Sequence, residues 1–237
     1  MGEAATPEQR ISLVRARIQR AAIANGRPAS DVTIVAVTKN VGLPAIRGAF
    51  ALGLSDFGEN RVQEARSKVP EAGIQARWHM IGHLQTNKVR HALQLFSLLH
   101  SLDRAELAAE IQRQCDRMGV ICHVLVQVNV SGEMSKSGVS PEDTGALFAS
   151  LRPYDRIHVD GLMTIAPYCD DPEETRPVFR KLFQMARAIE EKGYERTRMR
   201  HLSMGMSADY EVAVQEGASM VRIGTAIFGP RQPNITA

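Results

Sequence analysis

The chain has 237 residues, 44% of them hydrophobic, which is enough to bury a sizeable core in one barrel-sized domain of about 250 residues. Its 29 basic and 26 acidic residues are interspersed and leave a net charge of +3, so the charge does not indicate a nucleic-acid surface. The three cysteines form no C-x-x-C pair, and no apolar run reaches the roughly 18 residues of a membrane span, which argues against disulfides, a structural zinc site and a membrane partner. We therefore expect a cytoplasmic protein.

A predicted helix opens the chain. Thr6 is placed as its N-cap, Pro7 occupies the first helical position, and Gln9 completes a capping box with Thr6. Asn25 and Gly26 are expected to end the helix. We expect this extra N-terminal helix to pack on the outside or the bottom of the domain through an apolar face that consists of Ile11, Val14, Ile18 and Ala22.

From residue 33 onward, strand-like and helix-like segments alternate. Eight strands alternating with helices predict a parallel (β/α)8 TIM barrel, and a doubly wound open sheet is the alternative because alternation alone does not prove closure. No linker, internal repeat or low-complexity segment interrupts the chain, so residues 1–237 are predicted to form a single domain. The predicted strands cover 33–38, 55–58, 77–81, 96–100, 120–130, 157–163, 200–204 and 220–223.

Capping signals predict where the intervening helices begin. Asp103 opens a second capping box with Glu106, Ser140 precedes another helix, and Ser207 is expected to cap a helix that ends at Gly217. Further helices are predicted from about residue 43, over 60–69 and up to about residue 92. A longer helix that opens at residue 171 is predicted to bury Val178, Leu182, Phe183, Ala186 and Ile189.

A lysine, Lys39, follows the first buried strand. The carboxyl ends of parallel barrel strands meet at one mouth, which is where such folds carry their chemistry. An amine at this place can pair with a carboxylate, hold a phosphate or condense with an aldehyde as a Schiff base. The strand alone leaves these three roles open.

The loops after the seventh and eighth strands indicate a phosphate site, because barrels often bind phosphate there with free backbone N–H groups. The candidate contacts are Ser207, Gly224 and Thr225. In the alternative interpretation, Ser207 only caps a helix and Gly224 only forms a turn. Because Lys39 belongs to the same mouth, a phosphorylated aldehyde is the explanation that accounts for all of these residues.

Arg222 narrows the choice of ligand. If it points into the barrel, it can face the ring nitrogen of pyridoxal 5'-phosphate (PLP), and its permanent charge would keep that nitrogen neutral. The alternative role is an ion pair. His79 and His83 are spaced like metal ligands, but no third ligand lies near them in the sequence, so we expect no metal site. Instead, His83, Gln85, Asn87 and Lys88 are expected to line the mouth or to cap the following helix.

Six segments of the chain resemble the pyridoxal phosphate homeostasis protein family. They occur in the family's order and span the whole chain, which makes the resemblance specific. Two small departures are Thr38, where many members have serine, and Arg61, where an aromatic residue is frequent. The segments are VAVTK (35–39), FGENRVQE (57–64), WHMIGHLQTNK (78–88), GLM (161–163), LSMGMSAD (202–209) and VRIGTAIFG (221–229).

The resemblance implies a PLP-binding barrel similar to the N-terminal barrel of alanine racemase. It makes Lys39 the Schiff-base lysine, Arg222 the partner of the pyridine nitrogen and Asn60 a neighbour of the cofactor. The phosphate contacts that it implies are Ser207, Gly224 and Thr225, in agreement with the loops identified above.

The implied function is that of a carrier or buffer that keeps PLP bound in the cell and supplies it to apo-enzymes, without a demonstrated catalytic activity. Alanine racemase takes a second acid/base tyrosine from a C-terminal domain, whereas this sequence reaches Ala237 soon after its eighth strand. We therefore expect a monomer without a second base, since Tyr168 fits a loop or surface role better. The alternatives are a racemase-like PLP enzyme acting on amino acids and a PLP-free class I aldolase.

Overall fold

The computed structural model describes residues 5–133 and 136–230, and its centre is a closed barrel of parallel strands. The strands follow one another around the barrel in chain order, so the predicted (β/α)8 barrel is confirmed and the open sheet is wrong. The eight strands of this described part are β1 Thr33–Val37, β2 Asp56–Glu59, β3 Arg77–Met80, β4 Leu98–Leu102, β5 Cys122–Gln127, β6 Ile157–Met163, β7 Thr197–Ser203 and β8 Met220–Ile223.

Helices connect the strands and cover the outside of the barrel. Short 3-10 turns at Ala29–Asp31, Thr86–Lys88 and Pro172–Thr175 precede a strand or a helix. The helices of the described residues are α1 Pro7–Ala24, α2 Leu43–Ala51, α3 Val62–Ala72, α4 Val89–Leu95, α5 Ala105–Met118, α6 Thr144–Ser150, α7 Arg176–Lys192, α8 Tyr210–Gln215 and α9 Thr225–Phe228.

The barrel closes where β1 pairs with β8. Val35 lies opposite Arg222 and Ala36 lies opposite Ile223 in this parallel pair. On its other edge β1 pairs with β2, where Val37 lies opposite Gly58. The carboxyl ends of β1, β2 and β8 are therefore neighbours, and the loops that follow them open onto the same end of the barrel.

Two apolar layers hold the fold together. The larger layer lies between the helices and the outer face of the strands and includes Phe57, Leu107 and Leu182. The smaller layer lies on the other face of the strands, inside the barrel, and consists of Val35, Ile81, Leu98, Leu125, Met163 and Met220. The interior also contains buried polar side chains, Asp56, His79, His100, Ser203 and Arg222, so apolar packing fills only part of the barrel.

The N-terminal helix has the predicted start and the predicted buried face. The backbone N–H of Gln9 donates to Thr6 Oγ1 at 3.2 Å, and the backbone N–H of Thr6 donates to Gln9 Oε1 at 2.9 Å, so the capping box is confirmed. The helix α1 packs against α8 and α9 on the outside of the barrel. Its buried residues include the predicted Ile11, Val14, Ile18 and Ala22.

Two predicted helix caps are wrong. At α5, Arg104 is the N-cap residue and no side chain caps the helix, because the Asp103 carboxylate pairs with Arg104 and His83. At α8, the helix begins at Tyr210, and the carboxylate of Asp209 accepts a hydrogen bond from the Met206 N–H at 2.6 Å. Ser207 is therefore not an N-cap.

The helix predicted from residue 171 begins later than expected. Asp171 caps the 3-10 turn Pro172–Thr175 by accepting a hydrogen bond from the Glu173 N–H, and α7 starts only at Arg176. The predicted burial of Phe183 is also wrong, since this side chain is 38% exposed, while Phe179 in the same helix is buried. Leu182, Ala186 and Ile189 are buried as predicted.

Candidate functional site

A cavity of about 360 Å³ opens at the end of the barrel where the strands have their carboxyl termini. The structure brings all six predicted site residues into its wall: Lys39, Asn60, Ser207, Arg222, Gly224 and Thr225. The rest of the wall is mainly apolar and is formed by Val37, Ile81, Ile165, Met206 and Ala208. The cavity thus combines an amine, a guanidinium and hydroxyl groups with an apolar surface that suits a flat ring.

Lys39 is held between two residues whose positions are fixed by β2 and α3. On one side, the Thr38 hydroxyl donates to Glu59 Oε1 at 2.6 Å, and the Thr38 N–H donates to the Gly58 carbonyl at 3.0 Å. On the other side, Asn40 has a left-handed φ of 58° and donates its N–H to Glu64 Oε1 at 2.9 Å. Within residues 5–133 and 136–230, Lys39 itself forms no ion pair. Its half-buried side chain is therefore available to a ligand.

Lys68, which was not predicted as a site residue from the sequence, holds the loop around Lys39 in place. Its Nζ donates to the Thr38 carbonyl at 2.7 Å, to Glu59 Oε1 at 2.7 Å and to Glu64 Oε1 at 2.5 Å. Burial raises the pKa of Glu59 despite hydrogen bonds from Lys68 and Thr38. The one local signal for this cluster was the helical i, i+4 spacing of Glu64 and Lys68.

Arg222 carries a buried charge that has neutral partners. Its side chain is inside the barrel, with 4% of the residue exposed. Nη1 donates to Ser203 Oγ at 2.7 Å and Nη2 donates to the Thr164 carbonyl at 2.8 Å. The alternative ion-pair role is not observed, since no described carboxylate lies within 4.0 Å of the guanidinium. Burial lowers the pKa of Arg222 to about 10, so the group remains cationic at neutral pH.

Ser207, Gly224 and Thr225 form one side of the cavity. Ser207 Oγ accepts a hydrogen bond from the Ala226 N–H at 3.2 Å, which ties the loop after β7 to the start of α9 and leaves the hydroxyl proton of Ser207 available. Gly224 precedes α9 and Thr225 is its first residue. Because the first N–H groups of a helix have no helical acceptor, this corner offers donors to an anion.

Asn60 lies between this cavity and a second one. A side chain at Gly82 would collide with the Asn60 carbonyl, so the loop after β3 packs directly on the backbone of Asn60. The adjoining cavity of about 450 Å³ shares Lys39 and Asn60 with the first. Its wall includes His83, Gln85 and Lys88, as predicted for the mouth, but not Asn87, which was predicted with them.

The other residues considered from the sequence lie elsewhere. His79 points into the barrel, where its ring contacts Asp56 and His100 rather than the mouth. Tyr168 is 87% exposed on the surface. In the part of the chain that the structure describes, no group of three or more His, Cys, Asp or Glu side chains is arranged to hold a metal ion. The helices in that part are all too short or too polar to cross a bilayer.

The chain is similar to known proteins over nearly its whole length. The family model of the alanine racemase N-terminal domain matches residues 14–232. A pyridoxal phosphate homeostasis protein of Aquifex aeolicus (strain VF5) is 43% identical over 225 residues, which cover 94% of this chain and 98% of that relative. A protein of the same name from Pseudomonas aeruginosa is 42% identical over 227 residues, which cover 95% and 96% of the two chains.

Solved structures show the same barrel. PipY of Synechococcus elongatus PCC7942, solved with PLP bound, superposes with a TM-score of 0.82 at 34% identity and covers 94% of this chain and 100% of its own. Alanine racemase of Clostridium difficile 630 has a TM-score of 0.72 at 16% identity, and the match covers 95% of this chain but 58% of the racemase, so it shows the fold alone. The chain belongs to the alanine racemase N-terminal domain family and, within it, to the pyridoxal phosphate homeostasis proteins.

Proposed function

We propose that this protein binds PLP in the mouth of the barrel as a Schiff base on Lys39 and acts as a carrier or buffer of the cofactor. The observation that carries the proposal is the cavity in which Lys39, Arg222 and the Ser207–Thr225 corner face a common space. The PLP-bound structure of PipY supports it, because that protein shares the fold at 34% identity.

The donor set fits each part of PLP. The hydroxyl of Ser207 and the first turn of α9 suit a phosphate, since they present neutral donors and helix N–H groups. Ile81 and Ile165 supply apolar walls for the ring. Arg222 uses two of its five N–H donors on Ser203 and Thr164, which leaves others for a ring nitrogen that accepts a hydrogen bond.

Lys39 would supply the covalent link. Its amine would condense with the aldehyde carbon to form a C=N bond, with the carbonyl oxygen leaving as water, and hydrolysis or exchange with another amine would reverse the step. PLP supplies an electron sink for carbanion chemistry when it is bound, and Arg222 would weaken this sink by keeping the ring nitrogen unprotonated. Such a site suits storage and release better than catalysis.

A non-catalytic role is further supported by the composition of the cavity wall. Among the described residues that line it, the titratable side chains are Lys39 and Arg222. Racemisation needs a second acid/base group on the opposite face of the substrate, and Tyr168 is not among the residues that line this cavity. We further propose, as expected from the sequence, that the carrier is a cytoplasmic monomer that supplies PLP to apo-enzymes. Analytical sedimentation of the PLP-loaded protein tests the oligomeric state.

Absorption spectroscopy tests the binding proposal. After incubation with PLP and removal of the unbound cofactor, the purified protein should keep a visible absorption band that borohydride reduction removes, and Lys39→Ala should lack this band. Lys88→Ala is a matched control, because Lys88 lines the adjoining cavity without sharing the first one. If the wild-type protein stays colourless with PLP, or if Lys39→Ala and wild type give the same reducible band, the proposal is wrong.

The racemase-like alternative is favoured by the match to the alanine racemase N-terminal domain, and it needs a separate test. Loss of the α-proton from a panel of L-amino acids in deuterated water reports proton abstraction directly. We expect exchange with loaded protein to be no faster than with free PLP. Rapid exchange that disappears in Lys39→Ala would establish an enzyme and contradict the carrier role.

A further inference from the structure

A continuous line of hydrogen-bonded side chains runs through the barrel and ends at Arg222. We call Asp56, His79, His100, Ser203 and Arg222 the polar column. Its members are 0–4% exposed. Along the column, the distances are 3.0 Å from Asp56 Oδ1 to His79 Nε2, 2.9 Å from His79 Nδ1 to His100 Nε2, 2.9 Å from His100 Nδ1 to Ser203 Oγ, and 2.7 Å from Ser203 Oγ to Arg222 Nη1.

The two ends of the column determine the direction of every hydrogen bond in it. A guanidinium can only donate, so Ser203 Oγ accepts from Arg222 and its own hydroxyl proton goes to His100 Nδ1. His100 then carries its proton on Nε2 and donates to His79 Nδ1. His79 in turn carries its proton on Nε2 and donates to the Asp56 carboxylate. In this arrangement, every donor in the column faces an acceptor.

The opposite direction leaves a proton without a partner. If His100 donated from Nδ1, Ser203 Oγ would receive hydrogen bonds from both His100 and Arg222, and the Ser203 hydroxyl proton would have no acceptor within the column. An unsatisfied buried donor costs about 1–3 kcal/mol. The two neutral tautomers with the proton on Nε2 are therefore the arrangement that satisfies the column.

Asp56 anchors the far end of the column as an anion. Arg77 donates to it from Nε and Nη2, both at 2.8 Å, and Ser55 donates at 2.6 Å. Although burial raises the pKa of Asp56, the hydrogen bonds from His79, Arg77 and Ser55 outweigh it and hold this pKa below its ordinary value of 3.8. The carboxylate therefore requires a donor at His79 Nε2.

We infer that His79 and His100 are positioning residues for the PLP site, because they hold the Ser203 hydroxyl with a lone pair directed at Arg222 and so fix the guanidinium that faces the cofactor ring. A hydroxyl rotates freely unless its proton is engaged, and Arg222 has no described carboxylate to orient it. Burial, helped by the positive charge of Arg222, keeps the pKa of His100 well below its ordinary value, which agrees with a neutral ring.

This role rests on the proposed PLP binding, whereas the column itself exists in the protein without a cofactor. Its orientation can therefore be measured by nitrogen-15 NMR on the cofactor-free protein at neutral pH. We expect His79 and His100 to be neutral with the proton on Nε2, and Arg222 to show separate, slowly exchanging guanidinium signals. A proton on Nδ1 of either ring, or a doubly protonated ring, would overturn the inference.

Variants test whether the column acts on Arg222. Ser203→Ala removes a hydroxyl with little change in volume, and we expect the Arg222 signals to merge and PLP affinity to fall about tenfold. Asp56→Asn should weaken the tautomer preference of His100, although Asp56 does not touch that ring. The control is His123→Gln, which loses a comparable histidine–aspartate contact with Asp160 at the same end of the barrel.

The possible outcomes separate this inference from the proposed function. Unchanged Arg222 signals and unchanged affinity in folded Ser203→Ala would show that the column does not position Arg222. If the tautomers and the Arg222 signals behave as expected but wild type binds no PLP, the proposed function fails and the orientation of Arg222 by the column stands. If Asp56→Asn does not fold, the wild-type tautomers and Ser203→Ala still decide the question.

Discussion

Charged side chains at the two ends of the barrel have different kinds of partner. At the N-terminal end, Asp56 is bonded to Arg77 and His79, and His123 contacts Asp160 at 2.6 Å. At the mouth, Arg222 has neutral oxygen partners. Lys39, at the same mouth, has no ion-pair partner in residues 5–133 and 136–230. Both carboxylates at the first end therefore have a side-chain partner within the protein.

The difference indicates which end receives a ligand. Burying a cation without a carboxylate costs free energy, so a protein keeps one where the charge serves binding. The same contrast holds between two lysines near the mouth. Lys68 is paired with Glu59 and Glu64 and supports the loop that carries Lys39, but it does not line the cavity. This contrast supports the proposal that the mouth, where Lys39 and Arg222 have no carboxylate within 4.0 Å among the described residues, is the binding site.

The largest expected effect comes from removing a compensated charge. Lys68→Met leaves the fully buried carboxylate of Glu59 without its cation, so the free energy of unfolding should fall by about 3–5 kcal/mol in urea denaturation. Arg113→Met breaks the more exposed pair with Glu110 and should cost less than about 1 kcal/mol. Equal losses in the two variants would contradict the structural role of Lys68.

Removing Arg222, the buried cation of the mouth, should affect PLP binding more than stability. Arg222→Met is expected to weaken PLP binding about tenfold to a hundredfold, because a charged hydrogen bond to the ring is lost, while stability changes little. Arg77→Met, at the other end, leaves Asp56 bonded to His79 and should change PLP affinity by less than about threefold. Titration calorimetry and urea denaturation of both variants measure the two effects. If Arg222→Met destabilised the protein and bound PLP normally, the comparison would fail.

The polar column should make stability depend on pH below neutrality. The pKa of His100 lies well below 6.5 in the folded protein, so below pH 6.5 the unfolded chain binds a proton that the folded chain does not. The free energy of unfolding should therefore decrease as the pH falls from 6.5, by up to about 1.4 kcal/mol per pH unit. His201, whose pKa burial also lowers, acts in the same direction.

Urea denaturation between about pH 6.5 and 5.5 measures this dependence before the carboxylates contribute, because the stability due to Asp56, Glu64 and Glu216, whose pKa values are lowered from 3.8 and 4.5, is lost only at lower pH. His100→Phe should flatten the curve relative to wild type. If the His100→Phe variant keeps the wild-type slope, His100 does not cause the pH dependence of stability.

The smallest expected effect concerns the phosphate corner. Ser207→Ala removes a hydroxyl that accepts from Ala226 N–H and would donate to the phosphate, so PLP affinity should fall about fivefold, which corresponds to about 1 kcal/mol. Ser67→Ala on α3 is a control, since this hydroxyl bonds to the backbone of its own helix. Titration with PLP compares the two, and equal affinities would remove Ser207 from the predicted site.

The barrel and the composition of its mouth were predictable because both follow from the order of the segments. Alternating strands and helices favour a parallel sheet, and its strand ends share one face, so Lys39 and Arg222 meet although they are far apart in the sequence. Local capping was less predictable. Thr6 caps α1 as predicted, whereas the Asp103 carboxylate is engaged by Arg104 and His83, which only the tertiary structure brings together.

The polar column and the Lys68 cluster could not be predicted for the same physical reason. His100 is 21 residues from His79 and 103 residues from Ser203 along the chain, and only closure of the barrel makes them neighbours. No periodicity in the sequence distinguishes an inward histidine in a strand from one at the mouth. Phe183 is the opposite case, in which a sequence pattern was present but misleading. Its position in the helical pattern predicted burial, whereas its side chain lies at the exposed edge of the buried helix face.

The central claim is that Lys39, and no other lysine, carries the cofactor. The most direct test is to load the protein with PLP, reduce it with borohydride, digest it and locate the modified residue by mass spectrometry. We predict a stoichiometric pyridoxyl adduct on Lys39 and none on the ion-paired Lys68 or on Lys88 in the wall of the adjoining cavity. Stoichiometric modification of another lysine, with Lys39 unmodified, would contradict the account.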